Sequence, residues 1–124
     1  MSNIVVLGAS ANPQRIAYQA VQRLSQKGYT VIPVNPKGGE INGIEVRSSL
    51  AAVDQPVDTV TMYIAPEHQA AAIDAIEHLH PHRVIFNPGS ENPAIYPRLE
   101  RAGIQVQEAC TLVLLSTNQF DNAV

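Results

Sequence analysis

Two short stretches of this sequence carry residue types that can hold a phosphorylated ligand. The first is Gly8-Ala9-Ser10-Ala11-Asn12-Pro13, directly after the apolar run Ile4-Val5-Val6-Leu7. A strand, a tight turn and a helix start aim backbone N–H groups and the positive end of a helix at one point, where phosphate is favoured. Ser10 adds a hydroxyl. The stretch is not G-x-G-x-x-G, since only Gly8 is present, and a turn that merely links strand to helix is the competing reading. The second stretch is Val34-Asn35-Pro36-Lys37-Gly38-Gly39. Domains that bind a free ribose diol place an acidic residue near the end of their second strand. Here the tip is Asn35 and the nearest charge is Lys37, which suits a phosphorylated ribose better. An exposed loop lysine is the competing reading there.

The other reactive residues are expected to be structural. His78, His80 and His82 alternate, with His68 upstream, but no acidic or cysteine ligand has matching spacing. At a helix end, histidine complements the dipole instead. Cys110 has no adjacent activating base and reads as a buried structural thiol. Glu67 and Asp58 flank a strand without a carboxylate partner, so paired acid–base catalysis is not supported. No catalytic residue and no metal ligand is assigned.

These stretches need elements to position them. Asn12 as cap and Pro13 as first residue open a helix whose face is Ile16, Ala20, Val21 and Leu24, with Gly28 ending it. Residues 29–34 form a second strand, weakened by Pro33. Residues 44–46 suggest a short edge strand and 49–53 a helical turn. Further strands are expected at 58–64, 83–86 and 104–106. Pro66 opens a helix through Leu79, and Asn92-Pro93 opens another towards Arg101. Residues 110–115 fit a short helix or a strand. Alternation of this kind predicts an α/β domain: a Rossmann-like, doubly wound parallel sheet of about five strands with helices on both faces and the first strand central. Asparagine precedes proline at Pro13, Pro36, Pro88 and Pro93, shaping loops at the carboxyl edge, where open sheets bind ligands.

Length and composition bound the function. The 124 residues suffice for a single domain spanning 1–124. A hydrophobic fraction of 45% and a charged fraction of 15% describe an ordinary globular chain. Eight basic against 11 acidic residues give −3, which disfavours nucleic acid as a partner. No apolar run approaches a membrane span, and residues 4–7 enter a glycine turn without a charged leader. One cysteine excludes an intrachain disulfide and fits a reducing, cytoplasmic setting.

In order and spacing, Gly8-Ala9-Ser10, Val31-Ile32-Pro33-Val34-Asn35-Pro36-Lys37, Tyr63-Ile64-Ala65-Pro66 and Asn87-Pro88-Gly89 resemble the CoA-binding domain family. Its members are small, often stand-alone proteins, similar to the nucleotide-binding domain that opens the succinyl-CoA synthetase alpha subunit. The resemblance covers nearly the whole chain. It implies coenzyme A or a short acyl-CoA as ligand, with Gly8, Ala9 and Ser10 at the diphosphate. Asn35, Pro36 and Lys37 would flank the 3′-phosphate and ribose. Ile64, Ala65 and Pro66 would line the adenine or pantetheine path, and Asn87, Pro88 and Gly89 the outer end of the pantetheine arm. Arg15 is added by its nearness on the first helix, as a second phosphate cation. The phosphorylated histidine of the synthetase lies in a second domain that this length leaves out, so binding without catalysis is expected. The alternatives are an NAD(P)-binding enzyme or sensor, and an interaction subunit with a vestigial pocket that uses the apolar segment 112–115. A monomer or small homo-oligomer is expected, with room for a protein partner.

Overall fold

Val5 and Leu7 point to one side of their strand, Ile4 and Val6 to the other, and each pair enters a different apolar core. That split is the fold in miniature, because a strand buried on both faces needs cover on both. The structure is a computed structural model that describes residues 2–121. Five parallel strands form its sheet in the order β2-β1-β5-β6-β7, with β1 Asn3–Leu7, β2 Thr30–Val34, β5 Thr59–Met62, β6 Arg83–Phe86 and β7 Gln105–Glu108. The first core joins Val5, Val60, Met62, Val84 and Phe86 to Ile73 and Ile76 of α2 (Ala70–Leu79) and Leu99 of α3 (Tyr96–Arg101). The second joins Ile4, Val6 and Ile85 to Val21 and Leu24 of α1 (Ile16–Gln26) and Leu114 and Leu115 of α4 (Thr111–Ser116). The sheet is thus covered on both faces, and the chain has the doubly wound α/β fold that the alternation predicts. Residues 110–115 resolve as helix.

Several boundaries differ from the sequence reading, each for a local reason. The first helix starts at Ile16 rather than Pro13. Ser10 Oγ accepts the Asn12 N–H at 3.0 Å and Asn12 Oδ1 accepts the Gln14 N–H at 3.0 Å. These side chains hold residues 10–14 in turns that compete with helix. The helix expected from Pro66 is a 3₁₀ turn, Pro66–His68, followed by α2. The one expected from Pro93 is likewise a 3₁₀ turn, Pro93–Ile95, before α3. Residues 44–46 do not join the main sheet's edge as a strand. β3 (Glu40–Ile41) and β4 (Ile44–Glu45) pair antiparallel across Asn42 and Gly43, both at positive φ, as a two-residue hairpin requires. The first strand is interior, but the central strand is β5.

Pro33 sits in β2, an edge strand, where the missing donor is tolerated. Its carbonyl still accepts the Arg47 N–H at 2.9 Å. From β1 the chain goes to β2 on one side, then returns to β5 on the other. The strand order therefore reverses between β1 and β5, the place where such sheets open a crevice. Among the described residues, no helix is long and apolar enough to cross a membrane.

Candidate ligand site at the carboxyl edge

A cavity of about 830 Å³ lies at the carboxyl ends of the strands, and each of the five strands supplies a lining residue. These are Gly8 after β1, Asn35 after β2, Tyr63 after β5, Asn87 after β6 and Cys110 after β7. The volume is that of a small-molecule or cofactor site. Gly8 is required at its rim. Its φ is +88°, and a Cβ there would come within 3.0 Å of Ile64 Cγ1 and 3.2 Å of the Tyr63 carbonyl carbon. A side chain would push the first loop off the β5 end.

The loop after β1 is braced by the end of β2. The Gly8 and Ala9 N–H groups both donate to the Val34 carbonyl, at 3.0 and 3.1 Å. Asn35 Nδ2 donates to the Ala9 carbonyl at 2.6 Å. The first two amides of the predicted phosphate loop are therefore engaged inside the fold. Among the described residues, the N–H groups of Ser10 and Ala11 have no such partner. The cap residue Arg15 makes no side-chain bond to the first turn of α1, which leaves that turn's N–H groups open beside the cavity. Donors for an anion exist here, but they begin two residues later than the sequence pattern suggests.

The charge of the lining is one-sided. Arg15 and Lys37 both line the cavity, and among the described residues no carboxylate does. The ion pairs among the described residues use Arg47 and Arg98, so neither cavity cation is neutralised by one. Lys37 is held out by a turn: its N–H donates to Asn35 Oδ1 at 2.8 Å, and the Gly38 N–H donates to the Asn35 carbonyl at 2.9 Å. Pro36 occupies the second position of that turn, where its fixed φ suits.

The cavity floor is a buried polar network. Asn87 is 1% exposed; its Nδ2 donates to Thr61 Oγ1 at 2.7 Å and to the Met62 carbonyl at 2.9 Å. Its Oδ1 accepts the Thr111 N–H at 2.8 Å, and the Thr61 and Thr111 hydroxyls bond each other at 2.7 Å. Tyr63 Oη is buried beside these two threonines, yet it makes no hydrogen bond of good geometry. Burial pushes the Tyr63 phenol up to about 12, with the nearby threonine hydroxyls pulling more weakly the other way.

Of the residues the sequence selects, Gly8, Ala9, Ser10, Arg15, Asn35, Lys37, Asn87 and Pro88 line one cavity. Pro36, Ile64, Ala65, Pro66 and Gly89 are not in its lining. Ile64 turns into the first core against Gly8, and Gly89 donates its N–H to Glu91 Oε1 at 2.8 Å. Gln69, fully buried, ties residues 64–69 to the next loop by donating to the Ile64 and Ser90 carbonyls, both at 2.7 Å. The sequence reading missed Tyr63 and Cys110. Cys110 is half-buried and lines the cavity, rather than being a core thiol. The signal for both is position: each directly follows a sheet strand or lies two residues beyond it. Ala11 and Asn12, within the phosphate stretch but not assigned a contact, line the cavity with Gln14, Ile16 and Ala17, which were missed.

His80, at positive φ, caps α2, and its Nε2 lies 2.7 Å from the Ala102 carbonyl. Among the described residues, no three His, Cys, Asp or Glu side chains converge as a metal site would need. A smaller cavity of about 240 Å³ lies at the opposite, amino edge. It has Asp121 as well as Lys27 in its lining, so it lacks the uncompensated positive charge.

The family model described as a CoA binding domain matches residues 2–116. The chain belongs to this family. A solved crystal structure of an uncharacterized protein is 42% identical, covers 97% of this chain and 98% of its own, and superposes with a TM-score of 0.91. Two curated relatives match about half of the chain. One is the uncharacterized protein YneT of Bacillus subtilis, 37% identical over 60 residues. The other is the acetate–CoA ligase (ADP-forming) I subunit alpha of Pyrococcus furiosus, 37% identical over 68 residues. The matches span 44% and 15% of those proteins.

Proposed function

We propose that the carboxyl-edge cavity binds coenzyme A or a short acyl-CoA, and that the domain does so without catalysis of its own. The observation that carries this reading is a single one: an 830 Å³ cavity across five strand ends with two unpaired cations and no carboxylate in its lining. The ligand's diphosphate sits at the open Ser10 and Ala11 amides and the start of α1, with Arg15 beside it. Lys37 faces the 3′-phosphate. The pantetheine arm runs over Tyr63, Asn87 and Pro88 towards Cys110. Gly8 and Ala9 shape this site through the backbone, Asn35 through its carboxamide, and Pro36 sets the turn. Ile64 backs the Gly8 turn, and Ala65, Pro66 and Gly89 belong to the loops that follow β5 and β6. Asn35 offers no carboxylate to a free ribose diol, which favours CoA over NAD. We read the protein as cytoplasmic, in keeping with its one free thiol.

Titration calorimetry of the purified chain with CoA, dephospho-CoA, NAD and NADP tests the reading. CoA binding is expected, weakened about tenfold or more by Lys37→Ala and by Arg15→Ala, since a charge-assisted hydrogen bond contributes roughly 1.5–3 kcal/mol. Heat with NADP but none with CoA would transfer the site to a nicotinamide cofactor. Silence with all four would leave the interaction-subunit alternative.

A further inference from the structure

We propose that Asn35 is a positioning residue that makes the two anion-gripping segments act together through its hydrogen bonds to both. The inference rests on the ligand reading above and goes beyond it. Asn35 stands at the β2 tip, where a diol-binding domain would present an acid to its ligand. Here both ends of its carboxamide bond to protein. Nδ2 reaches the Ala9 carbonyl at 2.6 Å, fixing the loop that presents Ser10 and Ala11. Oδ1 receives the Lys37 N–H at 2.8 Å, fixing the turn that carries the second cation. Its own N–H donates to the Arg47 carbonyl at 2.9 Å, tying both to the segment after β4. One planar amide therefore spans the two segments, which lie 26 residues apart at Ala9 and Asn35.

The two bonds make separate demands on a substitute. Alanine removes both. Serine can accept the Lys37 N–H in the same kind of turn, but it is too short to reach the Ala9 carbonyl. The chemistry thus predicts that Lys37 contributes fully only when an acceptor stands at position 35.

A double-mutant cycle on CoA binding by calorimetry tests this. In the natural protein, Lys37→Ala is expected to weaken CoA about tenfold. In an Asn35→Ala background the same change should cost less than about threefold, because the lysine is no longer placed. In an Asn35→Ser background it should again cost about tenfold, while CoA itself binds more weakly than to the natural protein. Asparagine acting only on stability would leave the Lys37 factor the same in all three backgrounds, and that result overturns the proposal. If Asn35→Ala does not fold, Asn35→Ser decides alone: unchanged CoA affinity in it overturns the proposal. No CoA binding by the natural protein would remove the ligand reading itself, an outcome visible before any variant is made.

Discussion

Gly8 shows how much a single residue decides here. Its φ of +88° is open to glycine and strained for other residues, and the space a Cβ would fill is held by Ile64 and the Tyr63 backbone. The Tyr63 N–H donates to the Leu7 carbonyl at 2.9 Å, so the obstructing backbone belongs to the β1–β5 ladder and yields poorly. Gly8→Ala is expected to lower the unfolding free energy by about 2–4 kcal/mol, combining backbone strain with overpacking. Urea denaturation measures it; a loss under about 0.5 kcal/mol would show that the β5 end moves freely. Gly8, Ser10 and Lys37 were legible from residue type alone, because glycine turns and unpaired cations have direct chemical meaning. The engagement of the Gly8 and Ala9 amides was not. It depends on the Val34 carbonyl, 25 or more residues away, and no local pattern encodes that partner.

At the level of elements, the sequence reading and the structure part at the starts of α1, α2 and α3. Residue pattern found the strands, since β5 and β6 are rich in β-branched and apolar residues and are buried throughout. It placed α1 too early because Ser10 and Asn12 bind their own neighbours' amides. Asn87 is the clearest case of an element junction hidden from sequence. In the chain it is one of four asparagines before proline, a turn residue by habit. In the fold it sews the end of β6 to β5 and to the first turn of α4. Asn87→Ala strands the buried Thr111 N–H and removes the carboxamide's bonds to the Thr61 hydroxyl and the Met62 carbonyl. The expected loss is about 2–4 kcal/mol, with faster hydrogen exchange at the Thr111 amide. Gln69→Leu makes the parallel test on the other face of the sheet. It keeps volume but strands the Ile64 and Ser90 carbonyls, and about 2 kcal/mol of stability should go with it. If Gln69→Leu proves as stable as the natural chain, the two loops are held by their apolar contacts instead.

Across the whole molecule, the chain carries a net −3 while its candidate ligand cavity is lined by cations only, so its charge is sorted in space rather than merely counted. The tyrosines are sorted in the same way. Tyr63, Tyr29 and Tyr96 are each pushed up to about 12, in every case first by burial. For Tyr29 and Tyr96 an acidic neighbour adds to the effect, Asp121 and Glu108 respectively. Below pH 10 these phenols are neutral in both the folded and the unfolded chain, and the stability they contribute is fully present. Between about 10 and 12 the unfolded chain releases protons that the folded chain retains, so the equilibrium moves towards unfolding. Tyr63 is the most buried of the three and should account for about 2–3 kcal/mol of that loss; Tyr29 and Tyr96 contribute less, because solvent screens them. The urea midpoint should therefore hold level from pH 8 to 9.5 and fall steadily to pH 12, and Tyr63→Phe should flatten the fall. A midpoint in Tyr63→Phe that falls as steeply as in the natural protein would move the alkaline lability to the other two phenols. A bound anionic ligand should raise the midpoint at every pH in this range by mass action, leaving the tyrosine slope in place as long as the ligand's own affinity does not change with pH.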